Sequence, residues 1–279
     1  MLHLDQFAAM NLLYSRYSLG YFLRSMSEIG FRNIEFWGSI PHYDYYADQA
    51  EQQKKIRRLF AEYGLAMVCF TPEQCVYPFN IAAGEENIRK KSIEYFSRCI
   101  EDAASFGAGK MLLTPGWGNF DEDAEDAWKR SLDSTYILLK KAESEGVVLA
   151  YEILQPFESN LATDIASLRR VAGAFDSPYL GICVDTVPVC VAGETLQEYF
   201  DAFGRRVIHI HLNDGTPSGH MAWGDGTQDL KEHLEALRDF GGYVTFETGD
   251  TGYAMDPNRA YEKNMDAVSV YFREGVIAV

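Results

Sequence analysis

Short apolar runs alternate along the chain with polar loops and with longer segments whose apolar residues recur every three or four positions. Runs of the first kind are typical of buried strands, and segments of the last kind are typical of helices that cover a sheet. The pattern predicts strands at 10–14, 33–37, 65–70, 110–114 and 147–152, and three more that end at 185, near 211 and at 247.

Local signals indicate where the intervening helices begin and end. Helices are predicted at 19–29, 85–106, 123–145 and 228–240. One more helix is predicted to end at 63, and three others to begin near 164, 195 and 257. Gly30 and Gly64 follow the first two helices, as C-terminal glycines commonly do. Asp164 can serve as an N-cap, and Pro257 suits a first helical turn.

Eight strand–helix units in succession predict a parallel sheet. The number favours closure into a single α/β domain over residues 1–279, a (β/α)8 barrel, and the length of the chain is ordinary for one. A doubly wound open sheet is the alternative, but it would spread the strand ends along an edge. In the barrel, the C-terminal strand ends converge on one active site.

Charge and cysteine content narrow the class of protein. The formal net charge of −16 argues against nucleic-acid or anionic-membrane partners, because these require clusters of Lys and Arg. Five cysteines without a C-x-x-C pair do not indicate a disulfide framework or a structural zinc module. The chain has neither a signal-peptide pattern nor a long uncharged apolar window. We therefore expect a cytoplasmic protein without a membrane partner.

Each of the last four predicted strands ends in a side chain that can bind a metal ion: Glu152, Asp185, His211 and Glu247. A single carboxylate at such a place is commonly a helix cap or an ion-pair partner, but four in consecutive units are hard to explain in that way. Three carboxylates and one imidazole suit Mn²⁺, Mg²⁺ or Co²⁺ and can hold Zn²⁺. A bare cluster would be destabilised by repulsion between like charges. The sequence therefore predicts one divalent metal site.

Neighbouring polar residues have simpler explanations. His209 precedes His211 by two positions, so both side chains point to the same face of the strand. We expect His209 one layer deeper, in the core or supporting the site. Asp214 and Asp225, each next to a glycine, are expected to shape turns.

The strand ends resemble the xylose isomerase-like TIM barrel superfamily, and within it the sugar isomerases and epimerases. Ketose 3-epimerases carry Glu, Asp, His and Glu on the last four strands, which match the four residues above. The likeness extends over essentially the whole chain and is greatest to the fructoselysine 3-epimerase type. Its further motifs lie at 34–38, Pro41-His42, 71–73, 77–80, 156–160 and 220–226.

The resemblance implies a metal-dependent sugar epimerase that inverts C3 of a ketose, or of a substituted, fructoselysine-like ketose, through an enediolate. Glu152 and Glu247 would be ligands and also the acid and base on opposite faces of the sugar, whereas Asp185 and His211 would be ligands only. One Mn²⁺ is the expected cofactor, with Co²⁺, Mg²⁺ or Zn²⁺ as alternatives. A small-molecule sugar or sugar derivative is the expected partner, and the analogy suggests a homodimer or homotetramer.

Substrate contacts are predicted in the loops at the barrel mouth. Glu158 matches a residue that contacts the sugar near C1 in that group. The other predicted contacts are the polar residues His42, Glu73 and His220 and the aromatic residues Trp37 and Trp117, although the aromatics would serve equally well as loop packing. Pro188 and Thr216-Pro217 stand where free-ketohexose epimerases have a histidine and an arginine, which favours a substituted ketose.

Other functions remain open on the same site. An aldose–ketose isomerase would move the proton between C1 and C2. A lyase, a dehydratase or a C-glycoside-cleaving subunit would act on an oxidised sugar. Endonuclease IV fits poorly, because it needs a His-rich multi-metal set and this chain has six histidines. The non-enzyme alternative is a metal-free sugar-binding barrel.

Overall fold

The computed structural model describes residues 1–75, 78–273 and 275. Tyr77, part of one motif quoted above, lies outside these residues. The strands are β1 (Phe7–Met10), β2 (Asn33–Gly38), β3 (Ala66–Pro72), β4 (Lys110–Leu113), β5 (Val148–Glu152), β6 (Leu180–Asp185), β7 (Val207–His211) and β8 (Tyr243–Phe246). The helices are α1 (Leu19–Ile29), α2 (Gln49–Tyr63), α3 (Glu86–Phe106), α4 (Ala124–Glu145), α5 (Ile165–Ala174), α6 (Thr186–Ala192), α7 (Leu196–Phe203), α8 (Leu230–Ala236) and α9 (Pro257–Arg273).

All eight strands are parallel and pair in chain order, and β8 pairs with β1 to close the barrel. This confirms the predicted (β/α)8 fold. Aromatic side chains pack between the strands and the outer helices; for example, Phe7 of β1 packs edge to face against Phe272 of α9 with ring centroids 6.1 Å apart. Within the described residues, no helix combines the length and the apolar character that crossing a bilayer requires.

The first strand is where the sequence-based assignment is wrong. It begins at Phe7, and the segment Leu12–Tyr14 forms a short 3₁₀ turn instead of a strand. Ala8 and Ala9 have low strand propensity, so the pattern favoured the bulkier residues that follow. Both alanines are nevertheless fully buried between β2 and β8, where the barrel supplies the pairing.

Alternation along the strands builds two layers of side chains inside the barrel. Residues two apart on a strand point to the same face. Strands β5 to β8 therefore each place one residue deep in the barrel and one at its C-terminal end: Ala150 and Glu152, Cys183 and Asp185, His209 and His211, Thr245 and Glu247. We call Glu152, Asp185, His211 and Glu247 the upper layer.

Candidate functional site

The upper layer brings all four predicted ligands together. One potential ligand atom from each side chain lies within 4.8 Å of the others. Glu152, Asp185 and His211 are buried, and Glu247 is partly exposed. The three carboxylates line a cavity of about 380 Å³ at the C-terminal end of the barrel. The cluster is thus protected from bulk water but accessible to a small molecule.

The Nδ1 atom of His211 is buried without a hydrogen-bond partner, as expected of a nitrogen that binds a metal ion. Its Nδ1 lies 2.7 Å from Glu152 Oε1 and 2.7 Å from Glu247 Oε2. The atom is fully buried, yet neither contact has the geometry of a hydrogen bond. Buried polar atoms normally have a partner. An imidazole nitrogen and two carboxylate oxygens that converge in this way fit a shared divalent cation.

The pKa values of Glu152 and His211 also indicate an excess of negative charge in the upper layer. Burial, together with Glu247 and Asp185, outweighs the attraction of His211 and raises the pKa of Glu152 to about 8. Burial alone would lower the pKa of His211, but the negatively charged groups around it raise that pKa well above its ordinary value. The cluster is therefore stable only with an added proton or a cation, and a divalent cation can serve all three carboxylates at once.

Asp185 is held at both of its oxygens. Its Oδ1 accepts a hydrogen bond of 2.8 Å from the Val187 backbone N–H, which caps α6. Its Oδ2 lies 2.8 Å from His220 Nε2. Burial would lower the pKa of His220, but Asp185 raises it to about 9. The helix-cap explanation considered for a lone carboxylate is thus correct for Asp185, and it coexists with the position of Asp185 in the cluster.

Four of the predicted substrate contacts line the same cavity: Trp37, Glu73, Glu158 and His220. Glu158 Oε2 accepts a hydrogen bond of 3.0 Å from the Gln155 backbone N–H, which fixes the carboxylate within its loop. Burial raises the pKa of both Glu73 and Glu158. His220 contacts Asp185 and also lies 3.8 Å from Glu247, so it touches the proposed ligands as well as the cavity.

His42 and Trp117 lie outside that cavity. Both ring nitrogens of His42 already have partners, since Nδ1 is 2.7 Å from Asn11 Nδ2 and Nε2 is 2.9 Å from the Tyr17 carbonyl oxygen. His42 lines a separate cleft beside α1 and α2. The backbone of Trp117 is bound through both its N–H and its carbonyl to the Asn80 side chain. This geometry gives their predicted contact with substrate no support.

Glu35 is the residue that the sequence-based reasoning missed. It is fully buried on β2. Both of its carboxylate oxygens lie 3.2 Å from His211 Nε2, and Oε2 is 2.6 Å from His209 Nε2. The Thr71 hydroxyl donates a further hydrogen bond to Oε1. In the sequence, the sign of this residue is a carboxylate within the apolar run of β2.

Glu35, Cys69, Lys110 and His209 form what we call the lower layer. Glu35, Cys69 and His209 also present potential ligand atoms within 4.8 Å of one another. Here, however, the chain supplies its own cation, because Lys110 Nζ lies 3.1 Å from His209 Nδ1. Burial raises the pKa of the Cys69 thiol well above its ordinary value, so the thiol stays protonated. The lower layer is balanced without an added ion.

Comparison with known proteins was consistent with this architecture. Residues 23–271 match the family described as xylose isomerase-like TIM barrel. The fructoselysine 3-epimerase of Shigella flexneri is 29% identical over 238 residues, which cover 84% of this chain and 86% of that protein.

Two solved structures illustrate how widely the fold is shared. A D-tagatose 3-epimerase-like protein superposes with a TM-score of 0.78 at 20% identity, over 94% of this chain and 98% of its own. The probable 3-DHS dehydratase of Bacillus anthracis superposes with a TM-score of 0.77 at 15% identity, over 94% of this chain and 98% of its own. At such identities the likeness establishes the fold and leaves the reaction to be argued from the site.

Proposed function

This chain belongs to the xylose isomerase-like TIM barrel family, and on that premise we propose that it is a divalent-metal-dependent carbohydrate epimerase. Its reaction would invert C3 of a ketose, or of a ketose with a substituent like that of fructoselysine. The observation that carries the proposal is the upper layer, where three carboxylates and His211 converge beside a cavity. The epimerase relative described above supports the same reaction class.

Glu152, Asp185, His211 and Glu247 would hold the ion, for which we propose Mn²⁺, with Co²⁺, Mg²⁺ or Zn²⁺ as alternatives. When bound, such an ion supplies Lewis acidity that stabilises negative charge on the substrate oxygens. Asp185 would act only as a ligand, because the Val187 N–H and His220 fix both of its oxygens.

Glu152 and Glu247 would move the proton. A proton on C3, next to the C2 carbonyl, can be removed to give an enediolate, and inversion requires that a proton return to the opposite face. The two carboxylates come from β5 and β8, and each lies 2.7 Å from His211 Nδ1 at the same end of the barrel. One would remove the proton and the other would donate one, with the roles exchanged in the reverse direction.

The residues around the cavity would select the sugar. Trp37, Glu73 and Glu158 would contact the substrate, since they line the cavity beside the upper layer. Pro188, where free-ketohexose epimerases have a histidine, is buried in α6. It offers no side-chain donor. We therefore propose a substituted ketose as the substrate in preference to psicose or tagatose.

A panel of ketoses and fructosamine-type derivatives, incubated with the protein and Mn²⁺ in D₂O and followed by NMR, tests the proposal. An epimerase places deuterium at C3 of the recovered sugars. Deuterium at C1 or C2 would establish an aldose–ketose isomerase instead. Formation of an unsaturated product would establish a lyase or dehydratase, and no turnover together with no bound divalent ion would establish a binding protein.

A further inference from the structure

A chain of buried hydrogen bonds runs from the lower layer to the upper layer. Lys110 Nζ is 3.1 Å from His209 Nδ1, and His209 Nε2 is 2.6 Å from Glu35 Oε2. The Glu35 carboxylate then lies 3.2 Å from His211 Nε2. His209, Glu35 and His211 are fully buried, so water does not compete for these contacts.

The chemistry of the groups fixes the direction of each bond. A lysine ammonium can only donate, so His209 Nδ1 accepts from Lys110 and the His209 proton is on Nε2. That N–H donates to Glu35. A carboxylate can only accept, so the proton facing it from His211 is likewise on Nε2.

Glu35 is well suited to hold His211 rigidly. Glu35 lies on β2, and its carboxylate accepts from three groups on two other strands: Thr71 on β3, and His209 and His211 on β7.

We propose that Glu35 is the positioning residue for His211. By accepting the Nε2–H bond it would turn the unprotonated Nδ1 toward Glu152 and Glu247, where the proposed ion would bind. His209, which Lys110 contacts in turn, holds the carboxylate from below. This inference rests on the proposed function, because it assumes the metal site in the upper layer. Carboxylates that orient metal-binding histidines in this way commonly change metal affinity or activity by about 10–100-fold when they are replaced.

Glu35→Gln is the informative variant, because it keeps the shape of the side chain and removes its charge. Thr245→Val is the matched control: the Thr245 hydroxyl lies 3.2 Å from His209 Nε2 in the same buried region, and it is a β8 residue without a bond to His211 in this network. Mn²⁺ dissociation constants would be measured by EPR of the free ion. Protein ¹⁵N NMR with Mg²⁺ present would report the imidazole tautomers, and melting would be followed with and without metal.

We expect Glu35→Gln to weaken Mn²⁺ binding by about 10–100-fold and to shrink the metal-induced rise in Tm. Thr245→Val should bind Mn²⁺ within about twofold of the parent protein, since it leaves the Glu35–His211 contact intact. In the parent, both His209 and His211 should carry the proton on Nε2. If Glu35→Gln does not fold, the tautomers of the parent protein decide: a proton on Nδ1 of either histidine would overturn the inference.

Equal Mn²⁺ affinity in Glu35→Gln and the parent would also overturn it, and would leave the proposed function intact. Failure of the parent itself to bind Mn²⁺, Co²⁺, Mg²⁺ or Zn²⁺ would instead refute the proposed function and, with it, this inference.

Discussion

The upper and lower layers of the barrel interior are built from similar groups but differ in charge. Each contains carboxylate and imidazole atoms within 4.8 Å of one another. The lower layer contains Lys110, which approaches His209, and it is closed to the cavity. The upper layer has three carboxylates and opens onto the cavity. In the lower layer, a lysine of the chain offsets the negative charge of the buried carboxylate. In the upper layer, the negative charge is left for a cation and a substrate that would bind there.

Metal removal should produce the largest effect. Chelation should abolish C3 proton exchange, and Mn²⁺ should restore it, because the proposed mechanism relies on a divalent ion held by the upper layer. Stability should also depend on the ion: at a free concentration of 100 times Kd, binding adds about 2.7 kcal/mol to the free energy of unfolding. Calorimetry and deuterium uptake measure the two effects. Undiminished exchange in verified metal-free protein would remove the proposed distinction between the layers.

Replacing either proposed proton carrier should produce the next largest effect. Glu152→Gln and Glu247→Gln should each lower kcat by about 10²–10⁴-fold, since each removes one acid or base. Glu86→Gln is the control, because Glu86 is an exposed residue at the start of α3. Deuterium uptake at C3, measured at saturating Mn²⁺, provides the comparison. Exchange retained in both active-site variants would refute the two-carboxylate mechanism.

Loss of the Lys110 ammonium, the cation of the lower layer, should lower the stability of the fold. Lys110→Met should lower the free energy of unfolding by about 1–3 kcal/mol, because His209 Nδ1 and the Ile208 carbonyl lose the ammonium donor. Lys140→Met is matched to it: both lysines lie over a tyrosine ring, but Lys140 is on the exposed face of α4. Its effect should stay within about 0.5 kcal/mol. Equal effects in urea denaturation would show that Lys110 is no more important than a surface lysine.

The smallest effects should separate residues that line the cavity from residues beside it. Glu158→Gln should raise KM by about tenfold, because it exchanges a hydrogen bond from a charged group, worth about 1.5–3 kcal/mol, for a neutral one worth about 0.5–1.5 kcal/mol. His42→Ala should instead lower stability by about 1–3 kcal/mol, since Asn11 loses a buried partner, and should leave KM unchanged. A raised KM in His42→Ala with unchanged stability would restore the sequence-based prediction that His42 contacts substrate.

The sequence revealed those parts of the site that depend on strand periodicity. Glu152, Asp185, His211 and Glu247 each end an apolar run, so their common location followed from the parallel order of the strands. Glu35 was not found, because an inward carboxylate in the middle of a strand has the same local pattern as one that faces outward. Side-chain contacts across the barrel, which join β2 to β7, are not encoded in any local spacing.

Loops were predicted less well for a related reason. Trp37 and His42 belong to one short motif, yet only Trp37 lines the cavity, since the Tyr17 carbonyl and Asn11 hold His42 on the other side of the loop. The first strand was displaced because Ala8 and Ala9 acquire their strand conformation from neighbouring strands rather than from their own propensity.

Anomalous diffraction from crystals grown with Mn²⁺ tests the contrast between the two layers most directly. The account predicts one strong peak inside the barrel, at coordinating distance from Glu152, Asp185, His211 and Glu247. No peak is predicted among Glu35, Cys69 and His209, where Lys110 already supplies positive charge. A peak in the lower layer, or its absence from the upper layer at saturating Mn²⁺, would contradict the account.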